Sequence, residues 1–189
     1  YHPKDYNAET VYSILIPGDS DKNFPYTRKE IDIINSKLII PGFGVQIAHA
    51  QRHPSWIRYI FPDQINLKGW QAYAATMLID EGFGNWGEAY HILKLREEIV
   101  TITGAIIEGK YYAGEMNRSE AVKFYGQNAF LNIGEAESHQ SVSDRQFFSA
   151  TQSFIGMMEM NSLLEEYINK KQEWDKLNPE LKNELEQKQ

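Results

Sequence analysis

Residues 37–51 read Lys37-Leu38-Ile39-Ile40-Pro41-Gly42-Phe43-Gly44-Val45-Gln46-Ile47-Ala48-His49-Ala50-Gln51. Residues 68–83 read Lys68-Gly69-Trp70-Gln71-Ala72-Tyr73-Ala74-Ala75-Thr76-Met77-Leu78-Ile79-Asp80-Glu81-Gly82-Phe83. Both carry apolar residues at helical intervals. Pro41-Gly42 interrupts the first, because proline has no amide hydrogen to give and crowds the preceding turn. The second runs unbroken to Gly82, a residue suited to ending a helix. The pair predicts a mainly α fold: a helix broken at a fixed point, then a long continuous one.

Upstream, Thr27-Arg28-Lys29-Glu30 is a capping box ahead of Ile31, Ile33, Ile34 and Leu38. Residues 1–26 are rich in turn formers and aromatics. Thr10 to Ile16 has strand composition before Pro17-Gly18-Asp19 stops it, so a small β element is expected near the N-terminus. Pro54 and Pro62 bracket a short aromatic segment from Trp56 to Phe61. Downstream, a helix is predicted from about Asp63 to Asp80. Another opens near Asn85-Trp86-Gly87-Glu88 and reaches about Gly109, and Asn117-Arg118-Ser119-Glu120 caps a third through about Leu131. Ser143 to about Lys171 reads as the last long core helix, with Phe147, Phe148, Phe154, Ile155, Met158, Leu163 and Leu164 as its apolar stripe. The chain divides into an irregular or short-strand segment (1–26), a helical domain (27–172) and a charged terminal helix or tail (173–189). There is no internal repeat at a solenoid period.

A length of 189 residues suits one domain, and 42% hydrophobic content supports a sizeable core. A net charge of -7 argues against nucleic acid as a partner. The absence of cysteine removes disulfides and thiolate metal sites and leaves the compartment open. No apolar run reaches the roughly 18–20 residues of a membrane span. The chain starts at Tyr1 without methionine or a signal-like segment, the pattern expected of a processed product or a fragment.

The two opening stretches closely resemble the core of the bacterial domain-of-unknown-function family 885, which looks like a helical zinc peptidase. There the first segment runs His-Glu-x-x-Pro-Gly-His-x-x-Gln-x-Ala-x-Ala-Gln and the second begins Glu-Gly-Trp-Ala-x-Tyr-Ala-Glu. Pro41, Gly42, Gln46, Ala48, Ala50 and Gln51 match the first, and Gly69, Trp70, Tyr73 and Ala74 the second. The ligand positions do not match. Lys37 and Phe43 stand where the histidines would be, Leu38 at the catalytic glutamate and Lys68 at the later acidic ligand. A second family segment, Val-Asp-Thr-Gly-x-His, places Glu108 at its acidic position and Tyr112 at its histidine. The resemblance covers roughly residues 30–165. It implies a helical zinc-peptidase-like domain corresponding to the family's C-terminal half, and an envelope location.

Catalytic zinc needs three neutral-imidazole or carboxylate ligands and a water. The metal acidifies that water and a nearby glutamate takes its proton. Lysine repels a cation unless burial deprotonates it, and phenylalanine and leucine have no lone pairs. The resemblance therefore implies a former metal-site pocket of Lys37, Leu38, Phe43, Lys68, Trp70, Glu108 and Tyr112, with no catalytic residues, no metal and no other cofactor. Lys37 and Lys68 would fill the old metal space and pair with leftover acids such as Glu108; their bland reading is two surface or snorkelling lysines. Trp70, Tyr73 and Met77 read as core, with Trp70 lining the former cleft. Tyr111 and Tyr112 could hold a peptide backbone, though adjacent tyrosines more often pack. His49 and His53 have metal-ligand spacing on a helix, with Glu81 or Asp80 as a third group. However, Ala50 stands where a zincin needs glutamate and Pro54 follows at once, so a metal here is the less favoured reading.

The expected function is a catalytically degenerate metallopeptidase-like domain with a binding or structural role. A metal-dependent peptidase or hydrolase with relocated ligands, a metal-free hydrolase, and a fragment of a larger hydrolase are the alternatives. Expected partners are a protein or a missing N-terminal lobe, and a peptide ligand. The aromatics near Trp56, Tyr59 and Phe61, with residues 1–26, are the expected contact surface.

Overall fold

The computed structural model describes residues 27–178 apart from Pro54, Trp56 and Trp86. The β element expected within residues 1–26 and the tail beyond residue 178 lie outside the described residues, as does most of the expected aromatic contact surface. Within them the chain is mainly α, with no strand. It folds into α1 (Arg28–Leu38), α2 (Phe43–Arg52), α3 (Ile57–Ile60), α4 (Gln64–Asp80), α5 (Glu88–Tyr112), α6 (Arg118–Asn128), α7 (Ile133–Arg145) and α8 (Ser149–Leu177).

Capping side chains set most of the starts. The Thr27 hydroxyl accepts from the Glu30 amide at 3.3 Å, and the Glu30 carboxylate accepts from the Thr27 amide at 2.6 Å. Asp63 accepts from the amides of Ile65 and Asn66 and opens α4. Asn117 and Glu120 form a second box at α6. A third, Asn132 with Glu135, opens α7, where the hydrophobic pattern predicts no helix. The single helix expected from Ser143 is instead two. α7 runs out at Arg145, and Phe148, in the left-handed region at φ 57, precedes α8.

α4 lies along α8, α5 flanks α8, α1 packs on α4, and α6 and α7 form a hairpin beside α5. At the α4–α8 crossing the two backbones touch. A Cβ on Gly69 would overlap the Gly156 Cα, and one on Gly156 would stand 2.6 Å from the Gly69 Cα. Here glycine is required by close approach. One core cluster joins Ile107, Ala121, Tyr125, Ala129, Leu131 and Ala136, and a second joins Ile33, Ala75 and Ile79.

The apolar stripe expected for the last helix is not core. Phe147, Phe148, Ile155, Met158, Leu163 and Leu164 are exposed, while Gly156 and Met157 are buried. α8 meets its neighbour through a glycine, a face that hydrophobic periodicity does not detect. Arg28–Arg52 is apolar enough to cross a membrane by length and composition, but the chain breaks at 39–42 between α1 and α2.

Candidate functional site

α1 ends with Lys37 and Leu38, and the chain turns through a cis Ile40–Pro41 bond into Gly42. Gly42 lies on the Lys37 carbonyl so closely that any side chain there would overlap it. Across from this bend, the Trp70 indole N–H donates to the Pro41 carbonyl at 2.8 Å. The Gln46 amide donates to the Asn66 carbonyl at 3.2 Å, tying α2 to α4. The Pro41–Gly42 bend and the Gly69–Trp70 stretch of α4 therefore face each other.

Beside them is a cavity of about 490 Å³ between α1, α5, α7 and the start of α8. Ile33, Ile34, Leu93 and Val100 give it apolar walls, and Ser149 and Ser153 add hydroxyls. Its polar wall is a charge network. Lys37 Nζ pairs with Glu97 at 2.5 Å, and Arg96 bridges Glu30 at 2.8 Å and Glu135 at 2.5 Å. Burial pushes the Glu97 carboxyl upward, but the Lys37 ammonium and the Arg96 guanidinium outweigh it and hold it below its ordinary value. His139 keeps an open face on the cavity. Even so, loss of hydration lowers its pKa, and the Lys37 charge adds to this against the opposing pull of Glu97 and Glu135.

Behind the cavity, Glu108 is fully buried. One oxygen accepts from the Ser143 hydroxyl at 2.9 Å and the Ala150 amide at 3.0 Å. The other accepts from the Thr151 amide at 2.8 Å and its hydroxyl at 2.9 Å. The carboxylate thus caps α8 from 42 residues away, which Phe148 cannot do. Burial, helped by the Glu108 charge, raises the Tyr125 phenol to about 12, and contact with the Ser143 hydroxyl opposes this.

The acid that Lys37 meets is not Glu108. Lys37 reaches Glu97 instead, because the Glu108 oxygens are already filled by the first turn of α8. Lys68 donates to the Ser149 hydroxyl at 2.9 Å and the Gln146 side chain at 3.3 Å. Burial lowers its pKa and the nearby Glu108 charge opposes this. Of the predicted pocket, Lys37 and Leu38 line the cavity, Lys68 reaches its border through Ser149, and Glu108 lies behind it. Phe43, Trp70 and Tyr112 are not among the lining residues. Phe43 is exposed at the start of α2, and Trp70 lines a separate groove with His49, His53 and Asp63. The Tyr112 hydroxyl donates to the Ser143 carbonyl at 2.6 Å, and its ring packs against Phe148 at 4.9 Å.

These residues do not fit zinc. Lys37 and Lys68 are cations engaged with protein oxygens, and Phe43 and Leu38 offer no donor. The alternative set is not assembled either. His49 and His53 are exposed at the end of α2, whereas Glu81 caps the far end of α4 from their groove. Among the described residues, no three His, Asp or Glu side chains are grouped to hold a metal.

The polar wall of Glu30, Arg96, Glu97 and His139, with Glu135 bonded to Arg96, is absent from the sequence-derived pocket. Its one sequence signal is the charged run Arg96-Glu97-Glu98 set between apolar residues of α5. Glu30 and Glu135 are recognisable only as capping residues, yet each spends its second oxygen on Arg96.

No curated protein is detectably similar to the chain. A solved structure that it resembles is that of a Shewanella oneidensis protein described as a lipoprotein of unknown function, with a TM-score of 0.75 and 22% identity. The match covers 94% of this chain and 32% of that one, so the chain spans about a third of the length of the structure it matches. At that identity the likeness establishes the fold alone. The family model described as bacterial protein of unknown function (DUF885) matches residues 5–178, nearly the whole chain, and the protein therefore belongs to that family.

Proposed function

We propose that the chain is a metallopeptidase-like domain that has lost its zinc chemistry and serves a binding or structural role toward a protein partner, an N-terminal lobe or a peptide. One observation carries this reading. The backbone frame around the former ligand positions is held, through Trp70 and the Pro41 carbonyl, while positions 37, 38, 43 and 68 carry side chains that cannot ligate or activate a metal. The Lys37–Glu97 pair supplies a fixed positive charge balanced by protein, which replaces a cation structurally. An envelope location goes with this reading, since the similar Shewanella protein is described as a lipoprotein.

Metal analysis of protein purified without chelator tests it. The expected content is well below one zinc per chain, with no zinc-dependent peptidase activity. Stoichiometric zinc that disappears in His49→Ala overturns the proposal and establishes relocated ligands.

A further inference from the structure

Four Ser and Thr hydroxyls line the cavity, and three of them are spent on the protein. Thr101 donates to the Glu97 carbonyl at 2.9 Å, Ser143 to the Glu108 carboxylate at 2.9 Å and Ser153 to the Ser149 carbonyl at 3.0 Å. Ser149 differs. Among the described residues its hydroxyl donates to nothing and only accepts, from Lys68 Nζ at 2.9 Å. It is half-buried at the first position of α8. Phe148, immediately before it, is in the left-handed region at φ 57. A bulky residue in that conformation beside a cavity marks a turn that the surrounding structure enforces.

Lys68 is also unlike its counterparts. Lys37, Lys94 and Lys170 each hold a carboxylate at 2.5 Å. Lys68 bonds only the Ser149 hydroxyl and the Gln146 side-chain oxygen, both uncharged. An ammonium without a counter-ion in contact gives up its proton more readily than a paired one. Burial favours that loss, and it outweighs the longer-range pull of Glu108. Once neutral, the amine can accept the serine O–H across the same contact and act as its base.

The surroundings choose the substrate. The α8 amides nearest Ser149, those of Ala150 and Thr151, are filled by Glu108 and cannot serve an oxyanion. Only the Gln146 amide group, whose oxygen Lys68 fixes, and the lysine ammonium formed during reaction are left for that charge. Loss of one preorganised donor costs a factor of about 10²–10³ in rate, so a stable peptide bond is excluded and an ester with a good leaving group is not. Beside Ser149 the cavity is walled by Ile33, Ile34, Leu93 and Val100, and its charges are paired within the protein. An uncharged aliphatic acyl chain suits it.

We propose that Ser149 and Lys68 form a metal-free nucleophile–base pair that hydrolyses activated esters of uncharged aliphatic acids, with the acyl chain in the cavity. Ser149 Oγ attacks the ester carbonyl carbon while its proton passes to the Lys68 amine. The bond from that carbon to the alcohol oxygen breaks, and the lysine ammonium protonates the departing oxygen. Water then attacks the acyl-Ser149 carbon and gives a proton to Lys68, which returns it to Ser149 Oγ as the carboxylic acid leaves. The net change is ester plus water to acid plus alcohol. This activity goes beyond the binding role proposed above and uses no zinc, so the metal analysis and the test below can fail separately.

The test treats the full chain, in EDTA, with a fluorescent alkyl fluorophosphonate and locates the adduct by peptide mass mapping. The adduct should lie on Ser149, fall at least about tenfold in Lys68→Arg and be unchanged in His49→Ala. Arginine keeps the charge and can still donate to Ser149 and Gln146, but it cannot take a proton, so a purely structural lysine would leave labelling intact. In the same buffer p-nitrophenyl hexanoate should be cleaved with a kcat/KM at least about tenfold above that of the acetate, and Ser149→Ala should lose both activities. Far-UV circular dichroism confirms that each variant is folded, and the mapping on the native chain decides the nucleophile without any variant. An unlabelled Ser149, labelling that survives Lys68→Arg, or equal kcat/KM for the two esters overturns the proposal.

Discussion

Replacing Glu108 with alanine should destabilise the fold more than any change on the exposed face of α5. The substitution removes the acceptor of four hydrogen bonds at a position with no solvent exposure. The Ser143 and Thr151 hydroxyls can rotate toward other acceptors. The Ala150 and Thr151 amides cannot, because they are first-turn donors of α8 with no carbonyl to receive them. Two unsatisfied amides at about 1–3 kcal/mol each give a loss of about 2–6 kcal/mol, to which the space left by the side chain adds. Glu108→Gln keeps the shape and one carbonyl oxygen, but turns an amide N–H₂ toward the Thr151 amide, so its cost should be about 1–3 kcal/mol. Urea unfolding followed by circular dichroism measures both, with an unchanged slope as the condition for comparison. A loss below about 1 kcal/mol for Glu108→Ala would mean that α8 is capped by other means and that the remote-cap account is wrong.

Acid should weaken the fold in two stages. His139 titrates below its ordinary 6.5 in the folded chain, so the unfolded chain binds more protons and stability declines as pH falls below about 6.5. Glu97 and Glu135 titrate below their ordinary 4.5, so their contribution is present above that value and is lost as pH falls through their folded values. His139→Gln should flatten the first stage and leave the second; denaturant midpoints measured across this range decide it, and an unaltered first stage would sink the assignment. Gly156→Ala should cost at least about 1–3 kcal/mol by forcing α8 off α4, read as a lower thermal midpoint; an unchanged midpoint would contradict the backbone contact at Gly69.

Much of the helical layout is legible because it is written locally. Thr27, Asp63 and Asn117 announce their helices, and Pro41-Gly42 announces the break. α7 escaped because its opening signal, Asn132-Ile133-Gly134-Glu135, precedes a helix with few large apolar residues, so periodicity gives no support to the cap. The division between α7 and α8 has no proline or glycine to mark it. It depends on Glu108, a residue 42 positions before the amide it caps, and local reading has no access to that. The same holds for the cavity. Lys37 is conspicuous in sequence as a cation in a ligand position, but its partner lies 60 residues on, in α5. Glu108 stands at the acidic position of a family segment, but only its four bonds reveal its structural task.

The Gly69–Gly156 contact also has a mechanical side. With no side chains between the two backbones, the crossing has no rotamers that could yield, so any movement of α8 relative to α4 there is a movement of the whole helix. α8 continues for 21 residues beyond Gly156, an arm of about 31 Å at 1.5 Å per residue. On that arm, a turn of about 5° at the glycines carries the far end through roughly 3 Å. The length of α8 beyond the glycines therefore magnifies any small turn made there.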